Sequence, residues 1–239
     1  MGVVLDMPSG ARVGMVDDDP AAMRALSYQL QDADLTPVAI SLAGSPGIDD
    51  VIAEIMDKEC VAAICDHRLN GSGHATFDGA QLACRSNLAS QVPCVLLSAW
   101  TSEDKSTSIR RWRHGIPRVL NKRGRSTRDI SEALTVTKME MAGTCPLERK
   151  AFSTALEVAS LSYEAECQTA YVYVPAWSPD VQVVVPLDLF PQPVIARPPR
   201  EVIGSLFIAD VNYYAVDEGE LFFQNIRQAS PVPESWLPG

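Results

Sequence analysis

Val13-Gly14-Met15-Val16-Asp17-Asp18-Asp19-Pro20 is the stretch that decides how the first half of this chain folds. A short apolar run ends abruptly in three carboxylates. Proline follows, and it suits the first helical position because its missing N–H has no partner there; Asp19 then stands where a helix cap belongs. Met23, Leu26 and Leu30 recur behind it at helical spacing. The stretch therefore reads as a strand that passes through acidic residues directly into a helix.

The same unit recurs along the next 120 or so residues. Residues 36–40 read as a second strand, followed by the helical stripe Ile48, Ile52, Ile55 and Met56. Residues 61–65 form a third apolar run ending at Asp66, and the loop Asn70-Gly71-Ser72-Gly73 leads to a helix around 79–88. Residues 93–97 read as a fourth strand ending at Ser98, with a polar helix at 102–113. Residues 117–120 read as a fifth, with Lys122 just past it, and a helix over 126–141 closes the series. Strands alternating with helices predict a parallel sheet covered on both faces. Five such units fit an α/β, flavodoxin-like, doubly wound sheet over residues 10–142.

From residue 143 to 239 the character changes. Prolines crowd in, and strand-like runs at 170–174, 181–185, 206–211 and 220–223 replace helical stripes. Residues 206–224, with Val216-Asp217-Glu218-Gly219 in the middle, read as a hairpin. A smaller, mostly-β domain is expected here, a barrel or a sandwich.

Bulk properties narrow the function. The chain carries a net charge of -10 over 239 residues, which disfavours nonspecific nucleic-acid binding. No helix-turn-helix signature is visible, and basic residues after Cys145 are outnumbered more than two to one by acidic ones. DNA is therefore not an expected partner. The six cysteines make no C-x-x-C pair and read as free, buried thiols of a reducing cytoplasm. The first residues lack the order of a signal peptide, and no apolar run approaches the roughly 18 residues of a membrane span.

The polar residues that end the strands carry the chemistry. In a parallel sheet Asp17, Asp18, Asp66, Ser98 and Lys122 all fall on one edge, where such folds bind ligands. Clustered carboxylates repel by on the order of 4 kcal/mol per close pair, so a hard divalent cation such as Mg²⁺ is the natural compensation. A lysine and a hydroxyl beside them complete a set suited to phosphoryl transfer onto a carboxylate.

These residues also carry a family resemblance. "VDDDP" at 16–20, "CDHRL" at 65–69, "FDG" at 77–79, "LSA" at 97–99 and "NKR" at 121–123 resemble, in order, the motifs of two-component response-regulator receiver domains. The resemblance covers roughly residues 10–140. It implies Asp66 as phosphoacceptor, Asp17, Asp18, Asp66 and the backbone carbonyl of Arg68 as Mg²⁺ ligands, Ser98 as switch hydroxyl and Lys122 as phosphate contact. It also implies a histidine kinase or phosphotransfer protein as partner, and a signalling protein with only weak intrinsic autophosphorylation and autodephosphorylation rather than an enzyme.

The sequence departs from that pattern in places. Arg123 stands where proline usually follows the lysine, Val119 stands where an aromatic is common, and the loop from Asp66 to Gly79 is longer than usual. His67 and His74 are expected as exposed loop histidines. The arginines from Arg110 to Arg128 read either as a solvated basic face or as a dimer or partner surface, flanked by Trp100 and Trp112. Three functions stay open for the whole chain: a switch acting through a protein effector of the β-rich domain, a phosphate sink or relay partner, and a regulator whose β domain binds a ligand or catalyses. A degenerate receiver used as a scaffold is a further alternative.

Overall fold

The computed structural model describes residues 7–69, 75–89, 91–99, 103–163 and 168–230. The chain divides into two compact units between Pro146 and Leu147.

In the first unit the five strands are β1 (Arg12–Val16), β2 (Thr36–Ala39), β3 (Ala62–Asp66), β4 (Cys94–Ser98) and β5 (Val119–Asn121). The helices between and after them are α1 (Pro20–Asp32), α2 (Ile48–Asp57), α3 (Gly79–Leu88), α4 (Glu103–Trp112) and α5 (Thr127–Met141). The sheet order is β2-β1-β3-β4-β5, and every pairing is parallel. This is the flavodoxin-like doubly wound order.

Strand alternation sorts the core onto two faces. Val13, Met15, Ile64, Val95 and Leu97 pack with Leu26 and Leu30 of α1 and with Ile130 and Leu134 of α5. Val16, Ala63, Cys65 and Leu96 pack with Val51, Ile52 and Ile55 of α2 and with Leu82 of α3 on the other face. All five residues of β3 and all five of β4 are buried, as two-sided cover demands. Each fully buried Leu or Ile here contributes roughly 1.5–3 kcal/mol over an exposed one. Met56, read as part of the α2 stripe, is instead half exposed, and Val51 takes the core position.

Caps hold the helix starts that face the strand ends. The Asp19 carboxylate accepts from the Ala21 N–H, and Pro20 follows at the first helical position. Asp78 does the same for α3 through the Gln81 N–H, and Ser126 with Asp129 forms a capping box on α5.

The second unit is built on one antiparallel sheet of five strands, ordered β10-β9-β6-β7-β8. These are β6 (Phe152–Ser162), β7 (Thr169–Val174), β8 (Ser178–Pro186), β9 (Leu206–Val211) and β10 (Phe223–Gln228). Two single-turn helices, α6 (Gln192–Ile195) and α7 (Pro199–Val202), lie between β8 and β9. Leu156, Val158, Val172, Val183, Phe207 and Val211 from the strands pack with Phe190, Val194, Val202 and Leu221 from the connections. The expected barrel or sandwich is not what the described strands form. They make one open sheet with β10 and β8 at its edges, because the helical turns and loops, not a second sheet, supply the other half of the core. Residues 206–224 do form a hairpin, but the turn at Glu218–Glu220 is a 3-10 turn and the second strand starts at Phe223.

Both edge strands are irregular. Pro179 and Pro186 sit in β8, and β10 bulges between Gln224 and Arg227, where Asn225 takes a left-handed φ of 52°. The side chain of buried Asn212 ties three segments together: it donates to the carbonyls of Glu148 and Glu220 and accepts from the Phe222 N–H.

Candidate functional site

The strand ends bring four of the sequence-predicted residues together. Asp17 follows β1 directly, Asp66 is the last residue of β3 and Lys122 follows β5 directly. Because the strands are parallel, all three side chains reach the same edge. The Lys122 ammonium lies 3.0 Å from Asp17 Oδ2 and 2.8 Å from Asp66 Oδ1. Asp17, Asp18 and Asp66 each offer a carboxylate oxygen, and these lie within 4.8 Å of one another.

Each inner carboxylate is pinned from two sides. Asp17 Oδ1 accepts from the Asp19 N–H at 2.9 Å, leaving Oδ2 for Lys122. Asp66 Oδ2 accepts from the Arg68 N–H at 3.2 Å, leaving Oδ1 for Lys122. The Asp17 and Asp66 side chains are only 4% and 8% exposed, so their charges are poorly screened. Burial pushes the Asp17 carboxyl above its ordinary value, and the charge of Asp66 adds to this; the Asp19 N–H and Lys122 offset only part. Burial likewise opposes the Lys122 charge, but its bonds to Asp66 and Asp17 prevail and raise its pKa. The contact thus favours the charged form of both partners, but burial outweighs it at Asp17.

Like charges this close cost about 3 kcal/mol or more per pair at an effective dielectric near 20. One lysine against three carboxylates leaves the cluster net negative. Hard oxygen donors converging on one point, with residual negative charge, fit Mg²⁺, which takes carboxylate oxygens and keeps several waters.

The other predicted residues are placed around this centre. Ser98 ends β4, is buried, and its carbonyl accepts from the Lys122 N–H at 2.8 Å. Asp66, His67, Arg68, Ala99 and Lys122 line a depression at the edge. Asp19 points into its helix cap. His74, Trp100, Cys167 and the loop at 70–73 lie outside the described residues. Trp112 is a packing residue against the core face of α2 and α3. Among the described residues Cys60, Cys65, Cys84 and Cys94 are buried, Cys145 is half-buried, and none of the five is in a disulfide.

Two expectations need correction. His67 is not an exposed loop histidine: it is 6% exposed, with Nε2 2.6 Å from the Ser108 hydroxyl of α4. Burial lowers its pKa against the opposing pull of Asp78 and Asp66. Nor do the arginines form one solvated face. Arg110 and Arg113 are 2% and 3% exposed, folded into the unit because α4 ends in a 3-10 turn at Arg113–Gly115 that packs against α3. Arg123 and Arg128 remain exposed.

Sequence reasoning missed two contributors. Gly79, read only as part of a motif, lies against the Asp66 main chain, and its N–H donates to the His67 carbonyl at 2.9 Å. Arg125 donates to the Lys122 carbonyl and feels the charge of Asp17, so it braces the segment that carries the lysine. No motif marks it; only its place three residues past Lys122 hints at the role.

No family model and no curated protein matches the chain. Many of the solved structures similar to it are response-regulator receiver domains. One, from Clostridium thermocellum, is 12% identical over 56% of this chain and 99% of its own, with a TM-score of 0.42. The signal receiver domain of a modulated diguanylate cyclase from Desulfovibrio desulfuricans is 14% identical over 55% and 95%, with a TM-score of 0.44. The BeF3-activated receiver domain of RstA from Klebsiella pneumoniae is 19% identical over 53% and 98%, with a TM-score of 0.41. Among the described residues no helix is long and apolar enough to cross a membrane.

Proposed function

We propose that the first unit is a phosphoacceptor of the two-component kind and that Asp66 takes the phosphoryl group. The observation that carries this reading is the convergence of Asp17, Asp18 and Asp66 on one point, with the Lys122 ammonium bridging two of them. A carboxylate oxygen of Asp66 forms a bond to phosphorus while the donor's own bond to phosphorus breaks, and the donor leaves with that electron pair. The donor is the phosphohistidine of a kinase or phosphotransfer protein, or a small acyl phosphate.

Asp17, Asp18, Asp66 and the Arg68 carbonyl would hold Mg²⁺, which when bound neutralises charge on the phosphoryl oxygens. Lys122 is held in place by two carboxylates and a braced main chain, and is poised to pair with a phosphoryl oxygen once Asp66 is consumed. The Ser98 hydroxyl stands at the end of the neighbouring strand as a further donor. The chain acts as a switch rather than an enzyme, and any self-catalysed gain or loss of the phosphoryl group is weak. The acidic second unit is its output side and meets a protein effector, not DNA.

The test is phosphorylation of the purified full chain by acetyl phosphate with Mg²⁺, read by intact mass, wild type beside Asp66→Asn. Label on the wild type alone supports the reading. Label on neither, with Mg²⁺ binding demonstrated by titration, replaces it with a scaffold that keeps the fold and has lost the chemistry.

A further inference from the structure

We infer that the His67–Ser108 hydrogen bond is the mechanical link by which the state of Asp66 reaches α4; this rests on the phosphoacceptor reading above. His67 is the next residue in the chain after Asp66, and its main chain is fixed on both sides. Its N–H donates to the Leu97 carbonyl of β4 at 2.8 Å, and its carbonyl accepts from the Gly79 N–H at the start of α3 at 2.9 Å. Its side chain is buried and ends 2.6 Å from the Ser108 hydroxyl in the middle of α4. The ring therefore spans from the phosphoacceptor strand to α4.

Loading Asp66 must disturb this ring. One Asp66 oxygen now accepts from the Arg68 N–H and the other contacts Lys122. Once one carboxylate oxygen is bonded to phosphorus, the partner that it held turns to the phosphoryl oxygens, which bring roughly two negative charges, while the other oxygen stays a carbonyl acceptor. With the His67 main chain held at Leu97 and Gly79, the change in charge and hydrogen bonding on either side of it, at Asp66 and Arg68, falls on the His67 ring. The ring has a reason to settle elsewhere: its Nδ1 is buried with no hydrogen-bond partner among the described residues. Such an orphan disfavours the present arrangement, which lowers the cost of leaving it when Asp66 changes state.

Among the described residues no second ring stands between the Lys122 strand and the core at the matching position of β5. Val119 stands on β5 three residues before Lys122, half-buried and packed on the core. A β-branched side chain with a stiff χ1 offers no ring to swing.

The experiment is hydrogen exchange on the full chain, followed in the peptide spanning α4, with and without acetyl phosphate and Mg²⁺. Wild type, Ser108→Ala and Ser108→Thr are compared, and intact mass gives the label on each. Exchange in α4 of the wild type is expected to change at least about threefold on loading. Ser108→Ala is expected to take label like the wild type but to lose that change, and Ser108→Thr, which keeps the hydroxyl, to restore it. A labelled Ser108→Ala whose α4 responds like the wild type overturns the link alone, as does a labelled wild type whose α4 stays unchanged. A wild type that takes no label removes the phosphoacceptor reading and the link with it.

Discussion

Gly79 lies so close to Asp66 that a Cβ built on it would stand 1.7 Å from the Asp66 carbonyl oxygen and 2.7 Å from its carbonyl carbon. Both neighbours are main chain, so nothing flexible can give way. The first turn of α3 is thereby pressed against the strand end that carries the phosphoacceptor, and only a residue without a side chain allows it.

Gly79→Ala should accordingly cost the first unit about 3 kcal/mol or more, the upper end of what overpacking does. It should also abolish labelling at Asp66. Hydrogen exchange in the β3 peptide reads the first effect and intact mass the second. Wild-type protection in β3 would show that the contact relaxes freely.

Asp17→Asn should stabilise the metal-free chain at neutral pH. The folded-state pKa of Asp17 lies above its unfolded value. Its contribution is therefore favourable below the unfolded pKa and lost as pH rises through the folded one. At neutral pH the buried charge is a net cost, and the amide removes it. A rise in Tm of about 2–5 °C in chelator is expected, fading as pH falls to about 3, where both states are protonated. Millimolar Mg²⁺ should narrow or reverse the difference, because the wild type alone keeps the full ligand set. A lower Tm for the variant in chelator would contradict this balance.

Glu54 works with the opposite sign. Burial alone would raise its carboxyl, but Lys58 at 2.6 Å and the Ser41 N–H at 3.0 Å outweigh burial and lower it. Its stabilisation is thus present above the unfolded carboxylate pKa and lost as pH falls through the lower folded value. Glu54→Gln should be the less stable protein at neutral pH, by a modest amount for so exposed a pair. The gap should close in acid. A gap that persists unchanged below the carboxylate range would assign the effect to packing.

In the second unit, Asn212→Ala should unfasten the segment around Glu148 from the one around Glu220. Two carbonyls and the buried Phe222 N–H lose their partner at once. A loss of about 2–4 kcal/mol follows from stranding such groups. Chemical denaturation followed by the exchange of β9 and β10 peptides measures it, and labelling at Asp66 should stay at the wild-type level.

Most of the first unit was legible because β1, β3 and β4 are short, mainly apolar runs that stop at a polar or charged residue, Asp17, Asp66 and Ser98. Asp17, Asp66 and Lys122 announce the site by their position after an apolar run, and parallel pairing does the rest. His67 was misread because a histidine beside an acidic residue looks like a loop; only tertiary packing of α4 buries it. Arg110 and Arg113 misled for the same reason, since charge alone says nothing of which face a helix turns inward. In the second unit β6 escaped notice. Ala155, Leu156 and Glu157 favour helix locally, and the strand exists because β7 and β9 pair with it on both sides.

The open sheet of that unit has a bearing on how the protein behaves at high concentration. A row of unpaired backbone groups on an edge strand is a template onto which another chain can add. Two prolines in β8 withhold N–H groups from that row, and the left-handed Asn225 bulge in β10 breaks its spacing. Both edges of this sheet are therefore poor templates for a further strand, and straightening β10 by deleting Asn225 is expected to raise the chain's tendency to associate.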